Sequence, residues 1–84
     1  MWVVTTNAVD NLPAEDIAQI SAIVATLASE GTTSPDPIPD GIPLPNGLGQ
    51  RQRSFTTLEA AERYAQVIND LPSDLVNVIG IDQI

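Results

Sequence analysis

An α+β domain is predicted by the order of local patterns along the chain. Two helix signatures stand between two β-branched stretches, and an extended stretch preceded by a proline-punctuated one separates the helices. Strand, helix, strand, strand, helix, strand is the ferredoxin-like split βαββαβ plan: a small antiparallel sheet with both helices on one face. If the proline-marked segment contributes no edge strand, the expectation reduces to a three-stranded α/β sandwich with a long Pro-rich loop. At 84 residues the chain is expected to form one domain, 1–84, with a Pro-rich arm or loop at 31–49.

The elements follow in order. Trp2 to Thr6 is aromatic and β-branched and stops at Asn7, which reads as an opening strand. Asn11-Leu12-Pro13-Ala14-Glu15-Asp16 then starts a helix, because proline is tolerated where its missing N–H has no partner and acids complement the positive end of the dipole. Ile17, Ile20, Ile23, Val24 and Leu27 fall on one arc at helical spacing, with Ala28 at its edge. Glu15, Gln19, Thr26, Ser29 and Glu30 take the other side. The helix is expected from Pro13 to Ser29, closed by Gly31 in the left-handed position.

Five of the seven prolines stand at positions 35, 37, 39, 43 and 45, all odd. In an extended chain, residues two apart point their N–H groups to the same side, so one edge of this segment lacks most of its donors. That suits a sheet-edge strand or an extended arm. Asn46-Gly47 is a two-residue turn signal, which predicts a hairpin from Ile42 to Phe55 with Pro43 and Pro45 on its outer edge.

In the returning strand, Arg51, Arg53 and Phe55 share one face if pairing is regular, so either the arginines approach the core or a bulge intervenes. Thr56-Thr57-Leu58-Glu59 fits a capping box with Thr56 as the cap and Glu59 reaching back. Leu58, Ala61, Ala65, Ile68 and Leu71 form the expected buried stripe, and Glu59 with Arg63 an i,i+4 ion pair, before Pro72 stops the helix. Val76 to Ile81 is the closing strand. By alternation Val76 and Val78 point away from Ile79 and Ile81, and with helices on one face only, Val3, Val76 and Val78 are expected on a partly open face.

Composition removes most routes to catalysis. The 3 Lys+Arg and 11 Asp+Glu give a net charge of −8, all three cations are arginine, and there is no histidine or cysteine. The usual general base near neutral pH, the commonest metal ligands, the thiolate nucleophile and the Schiff-base amine are missing together. The acid pairs lie at helix starts and on exposed faces, where acids are ordinary, and general acid work needs an enclosed apolar pocket that a chain this small has little room to build. Asp36 to Gly41 has two carboxylates before a glycine but not the alternating ligands and closing Glu of a calcium loop. No two of the loop prolines are three residues apart, as a polyproline ligand requires. No catalytic, metal-binding or cofactor-binding residue is assigned. A chain this acidic repels phosphate backbones and anionic lipid, and no apolar run reaches the ~20 residues of a membrane helix, so neither nucleic acid nor membrane is an expected partner.

The run from Arg53 to Asn69, Arg-Ser-Phe-Thr-Thr-Leu-Glu-Ala-Ala-Glu-Arg-Tyr-Ala-Gln-Val-Ile-Asn, resembles a phrase of small uncharacterised bacteriophage proteins. In those, an Arg and an aromatic lead into Ser or Thr, then Glu-Ala-Ala, and later a hydrophobic-Asn pair. The resemblance covers about a fifth of the chain and carries no catalytic residue across. It implies a virion-associated origin, in the cytoplasm of an infected host cell or in the virion.

A domain this small buries only about 60% of its unfolded surface, so the remaining apolar surface is expected to meet another molecule. The expected role is a non-enzymatic structural component that self-associates or docks on a larger protein assembly. The expected contacts are Trp2, Val3, Val76 and Val78 on the sheet, and Ile38, Ile42, Leu44 and Leu48 on the arm. The competing reading is an acidic inhibitor that mimics nucleic acid on a basic host enzyme. It calls for acids gathered on one face, whereas here they are distributed over loops and both helices.

Overall fold

The computed structural model describes residues 1–8, 12–34, 42–43, 50–73 and 75–84. They form β1 (Trp2–Ala8), α1 (Ala14–Ser29), β2 (Ile42–Pro43), β3 (Gln50–Phe55), α2 (Leu58–Asn69) and β4 (Val76–Gln83). The protein is α+β, with an antiparallel sheet and two helices. Three strands of six residues or more carry the sheet, and the two-residue β2 adds to the outer side of β3, in the spatial order β2-β3-β1-β4. The predicted Asn46-Gly47 turn lies outside the described residues; antiparallel pairing of β2 with β3 is present, with Ile42 opposite Gln52 and Pro43 opposite Arg51, one residue out of the register that a two-residue turn at 46–47 would set. Proline is tolerated there because β2 is an edge strand.

Helix α1 follows its sequence signals closely. Pro13 is the cap residue without a side-chain cap bond, and Ile20, Val24 and Leu27 are buried. At the other end Gly31 has φ +76°, its N–H donates to Ala28 O at 3.0 Å, and the Thr32 N–H donates to Leu27 O at 3.0 Å. That pair of bonds is a Schellman closure, in which the left-handed residue lets the chain turn back over the last carbonyls. Thr32 Oγ1 adds a second bond to Leu27 O at 2.8 Å.

Helix α2 is shifted one residue from expectation. Thr57, not Thr56, is the cap and accepts from Ala60 N at 3.1 Å. Leu58 therefore sits at the first helical position and is exposed, and Ala60, Ala61, Tyr64, Ala65 and Ile68 form the buried stripe. Arg63 pairs across the helices rather than along its own: its Nη1 lies 2.7 Å from Glu30 Oε1. The Glu30 hydrogen bond and charge raise the Arg63 pKa above its ordinary value, with Glu59 a lesser contributor.

The core gathers Val4, Phe55 and Val76 from the sheet with Ile20, Val24 and Leu27 from α1 and Ala60, Ala61, Tyr64 and Ile68 from α2. The Phe55 and Tyr64 rings are tilted at 43° with centroids 5.1 Å apart, an edge-biased geometry that adds about 1 kcal/mol to simple burial.

Two charged side chains enter this interior, in addition to the buried Thr6. The β1–β3 ladder is regular over six pairs, so the alternation of Arg51, Arg53 and Phe55 is kept, and Arg53, opposite Val4, goes to the core side with 3% exposure. Its Nη1 donates to Ser34 O at 2.8 Å. Asp16 is fully buried, and Ser73 Oγ donates to its Oδ2. That bond ties the first turn of α1 to the chain between α2 and β4.

Candidate interaction surface

The sheet's faces are set by a bulge in β4. Between Thr5 and Thr6 the register shifts by one: Thr5 stands opposite Gly80, Thr6 opposite Val78, and Ile79 is the extra residue. An extra residue reverses the alternation beyond it. Val76, Val78 and Ile81 therefore all turn toward the helices, while Ile79 is left 53% exposed. This corrects the expected open face. Val76 is a core residue at 5% exposure, and Val78 is half-buried against the core. Trp2 also packs against the core, opposite Phe55. Val3 occupies the other sheet face, yet it too is buried. Ile42 lies in β2, and Ile38, Leu44 and Leu48 lie outside the described residues. The chain does carry a bulge signal, an isolated glycine inside a strand pattern at position 80.

The two edges of the sheet differ. On the outer side of β3, Gln52 pairs with Ile42 of β2, Ser54 O accepts from Thr33 Oγ1 at 2.9 Å, and Thr56 N donates to Thr32 O at 3.0 Å. The segment after α1 thus dresses that edge with its own backbone and hydroxyls. A shallow groove of about 300 Å³ runs along this seam, lined by Thr32, Ser34, Gln52, Ser54 and Thr56 among others.

At the opposite edge, β4 has no strand neighbour beyond it among the described residues. The phase of its outward groups follows from the hydrogen bonds at the end of the ladder. Met1 N donates to Ile84 O at 3.2 Å and Ile84 N to Met1 O at 2.9 Å, so these two form a hydrogen-bonded pair. Antiparallel ladders alternate such pairs with non-bonded ones. Asp82 and Gly80 therefore bond inward to Val3 and Thr5, and Ile81 and Gln83 turn their N–H and C=O outward. β4 contains neither proline nor lysine; the bulge and Asp82 are what it has of the features that blunt edges. Near this edge Ile79 and Ile84 are exposed, the latter at 76%.

Among the described residues no group of three or more His, Cys, Asp or Glu is placed to hold a metal ion, and no helix is long and apolar enough to cross a membrane. No family model matches the chain, and neither the curated proteins nor the solved structures include a match to it.

Proposed function

We propose that this is a non-enzymatic structural protein that joins an assembly through the outer edge of β4. The observation that carries the reading is the contrast between the two sheet edges. One is closed by residues of the same chain, and the other presents the backbone groups of Ile81 and Gln83 beside the exposed Ile79. Unpaired strand edges recruit further strands, and strand addition is a common mode of protein recognition. The reading takes the sheet order β2-β3-β1-β4 as the ferredoxin-like plan, supported by the antiparallel pairing of every neighbour and by helices placed between β1 and β2 and between β3 and β4. A phage virion or assembly setting draws its support from the resemblance over residues 53–69. The acidic-mimic reading finds no special support, since Glu30 is paired with Arg63 and Asp16 is buried.

The test is light scattering over a concentration series to the millimolar range, on the wild type and on Gln83→Pro. Proline at 83 removes an outward N–H and leaves the β1–β4 bonds intact. The wild type is expected to exceed its monomer mass of 8.9 kDa as concentration rises, and the variant to stay nearer to it. A wild type that remains single throughout, or a variant that associates equally well, refutes the proposal.

A further inference from the structure

We infer that the occupant of the β4 edge is a second copy of this chain, paired antiparallel with Asp82 on the two-fold axis. The inference rests on the reading of β4 as a contact edge and adds the partner, the register and what limits the affinity.

The register follows from the outward groups. Ile81 and Gln83 are two apart and both point away from β1. When Asp82 faces its own copy, each Ile81 meets the other chain's Gln83, and both pairs are of the hydrogen-bonded kind, giving four bonds. The competing register, with Ile81 on the axis, brings Gln83 against Ile79, where the bulge interrupts the ladder. The side chains favour the same choice. With Asp82 on the axis, Gly80 stands opposite Ile84 of the copy. A Cβ placed at Gly80 meets nothing nearer than Asp82 Oδ2 at 4.0 Å, so there is room directly above the backbone, and Ile84 is the most exposed large apolar residue among those described. Ile84 of one chain thus covers the gap over Gly80 of the other, twice.

The assembly closes at two. Head-to-tail addition requires the opposite edge, and that edge is covered by β2 with Pro43 and by the Thr32–Ser34 segment. An isologous pair uses only β4 and leaves no free β4 edge to propagate.

Asp82 is a local limit on the affinity. On the axis its carboxylate faces the same carboxylate across a non-hydrogen-bonded pair, where side chains are closest and like charges oppose pairing. Removing that charge with Asp82→Asn is expected to tighten the dimer up to about fivefold.

The chain has no cysteine, which makes trapping direct. Single variants Asp82→Cys and Ile81→Cys are treated with a mild thiol oxidant and resolved on non-reducing gels, alongside light scattering of Asp82→Asn. Facing residues at position 82 lie about 4.5 Å apart between Cα atoms, within disulfide range, whereas the two copies of residue 81 are diagonal to each other in this register. Expected are a covalent dimer for Asp82→Cys, little for Ile81→Cys, and a higher mass for Asp82→Asn than for wild type. A dimer trapped through Ile81→Cys instead overturns the register. A wild type that associates in a Gln83-dependent way while Asp82→Cys stays uncoupled overturns this inference and leaves the edge reading standing. Association indifferent to Gln83→Pro removes the edge reading and this inference with it.

Discussion

Replacing Ser73 by alanine tests the buried link between α1 and the chain before β4. Asp16 is fully enclosed, its Oδ2 accepts from Ser73 Oγ, and its Oδ1 has no partner among the described residues. The variant therefore leaves a carboxylate in the interior without its side-chain donor. Hydrogen bonds to charged groups contribute about 1.5–3 kcal/mol, and the orphaned group keeps its full desolvation cost, so the expected loss is about 2–3 kcal/mol. Against the ~4–13 kcal/mol that a domain of this length holds, that is a large share. With a urea m-value of ~1 kcal/mol/M the midpoint should fall by roughly 2 M. The double-mutant cycle with Asp16→Ala isolates the interaction. Once the carboxylate is gone, removing the Ser73 hydroxyl should cost about 1 kcal/mol at most, the share of its 3.3 Å bond from Leu75 N. An equal cost in both backgrounds, or a Ser73→Ala midpoint indistinguishable from wild type, refutes the assignment of the link.

Three further outcomes are expected. Val76→Asp should abolish folding by burying an unpaired charge, whereas Ile79→Asp should shift stability by no more than about 0.5 kcal/mol; circular dichroism melts decide, and the reverse order refutes the bulge. Gly31→Ala should cost about 1–2 kcal/mol purely through the backbone, since φ is +76° and a Cβ there meets no atom within 4 Å; an unchanged denaturation midpoint argues against the Schellman closure. Tyr64→Phe should raise the melting temperature, because the hydroxyl is buried without a partner among the described residues and the ring packing on Phe55 is retained; a clear drop indicates that the hydroxyl is bonded in solution.

Much of the fold was legible because its signals are local. Pro13 and Gly31 bracket α1, and each acts through its own backbone restriction, so neither needs tertiary information. The alternation in β3 predicted a choice between buried arginine and bulge. The regular ladder with β1 decides it in favour of Arg53, whose guanidinium reaches Ser34 O. The open sheet face was not legible, because counting by twos from Val76 fails after one inserted residue. Gly80 hints at the insertion without saying on which side of it the count slips. The one-residue shift of the α2 cap has a similar origin: Thr56 and Thr57 are chemically equivalent caps, and the choice depends on where β3 releases the chain. In the sequence Asp16 is one more acid complementing a helix dipole. Only the approach of Ser73, distant in sequence, makes it an interior residue.

The response to salt separates the two functional readings by sign. Two copies of a chain at −8 repel each other before any strand pairs, and Asp82 adds a local repulsion at the axis. At 0.15 M ionic strength charges beyond about 8 Å are largely screened, and at lower salt the repulsion reaches farther. Dimerisation through β4 should therefore strengthen as salt rises, while its backbone bonds and the covering of Ile84 change little. A mimic that offers its acids to a basic surface behaves oppositely and loses affinity with salt. The Asp82→Asn variant divides the effect further. It removes the axial contact but leaves a net charge of −7, so it should dimerise more tightly at every salt concentration while keeping most of the wild-type salt slope. A light-scattering titration in which association falls with salt, or in which the variant loses the slope entirely, contradicts a dimer limited by whole-chain repulsion.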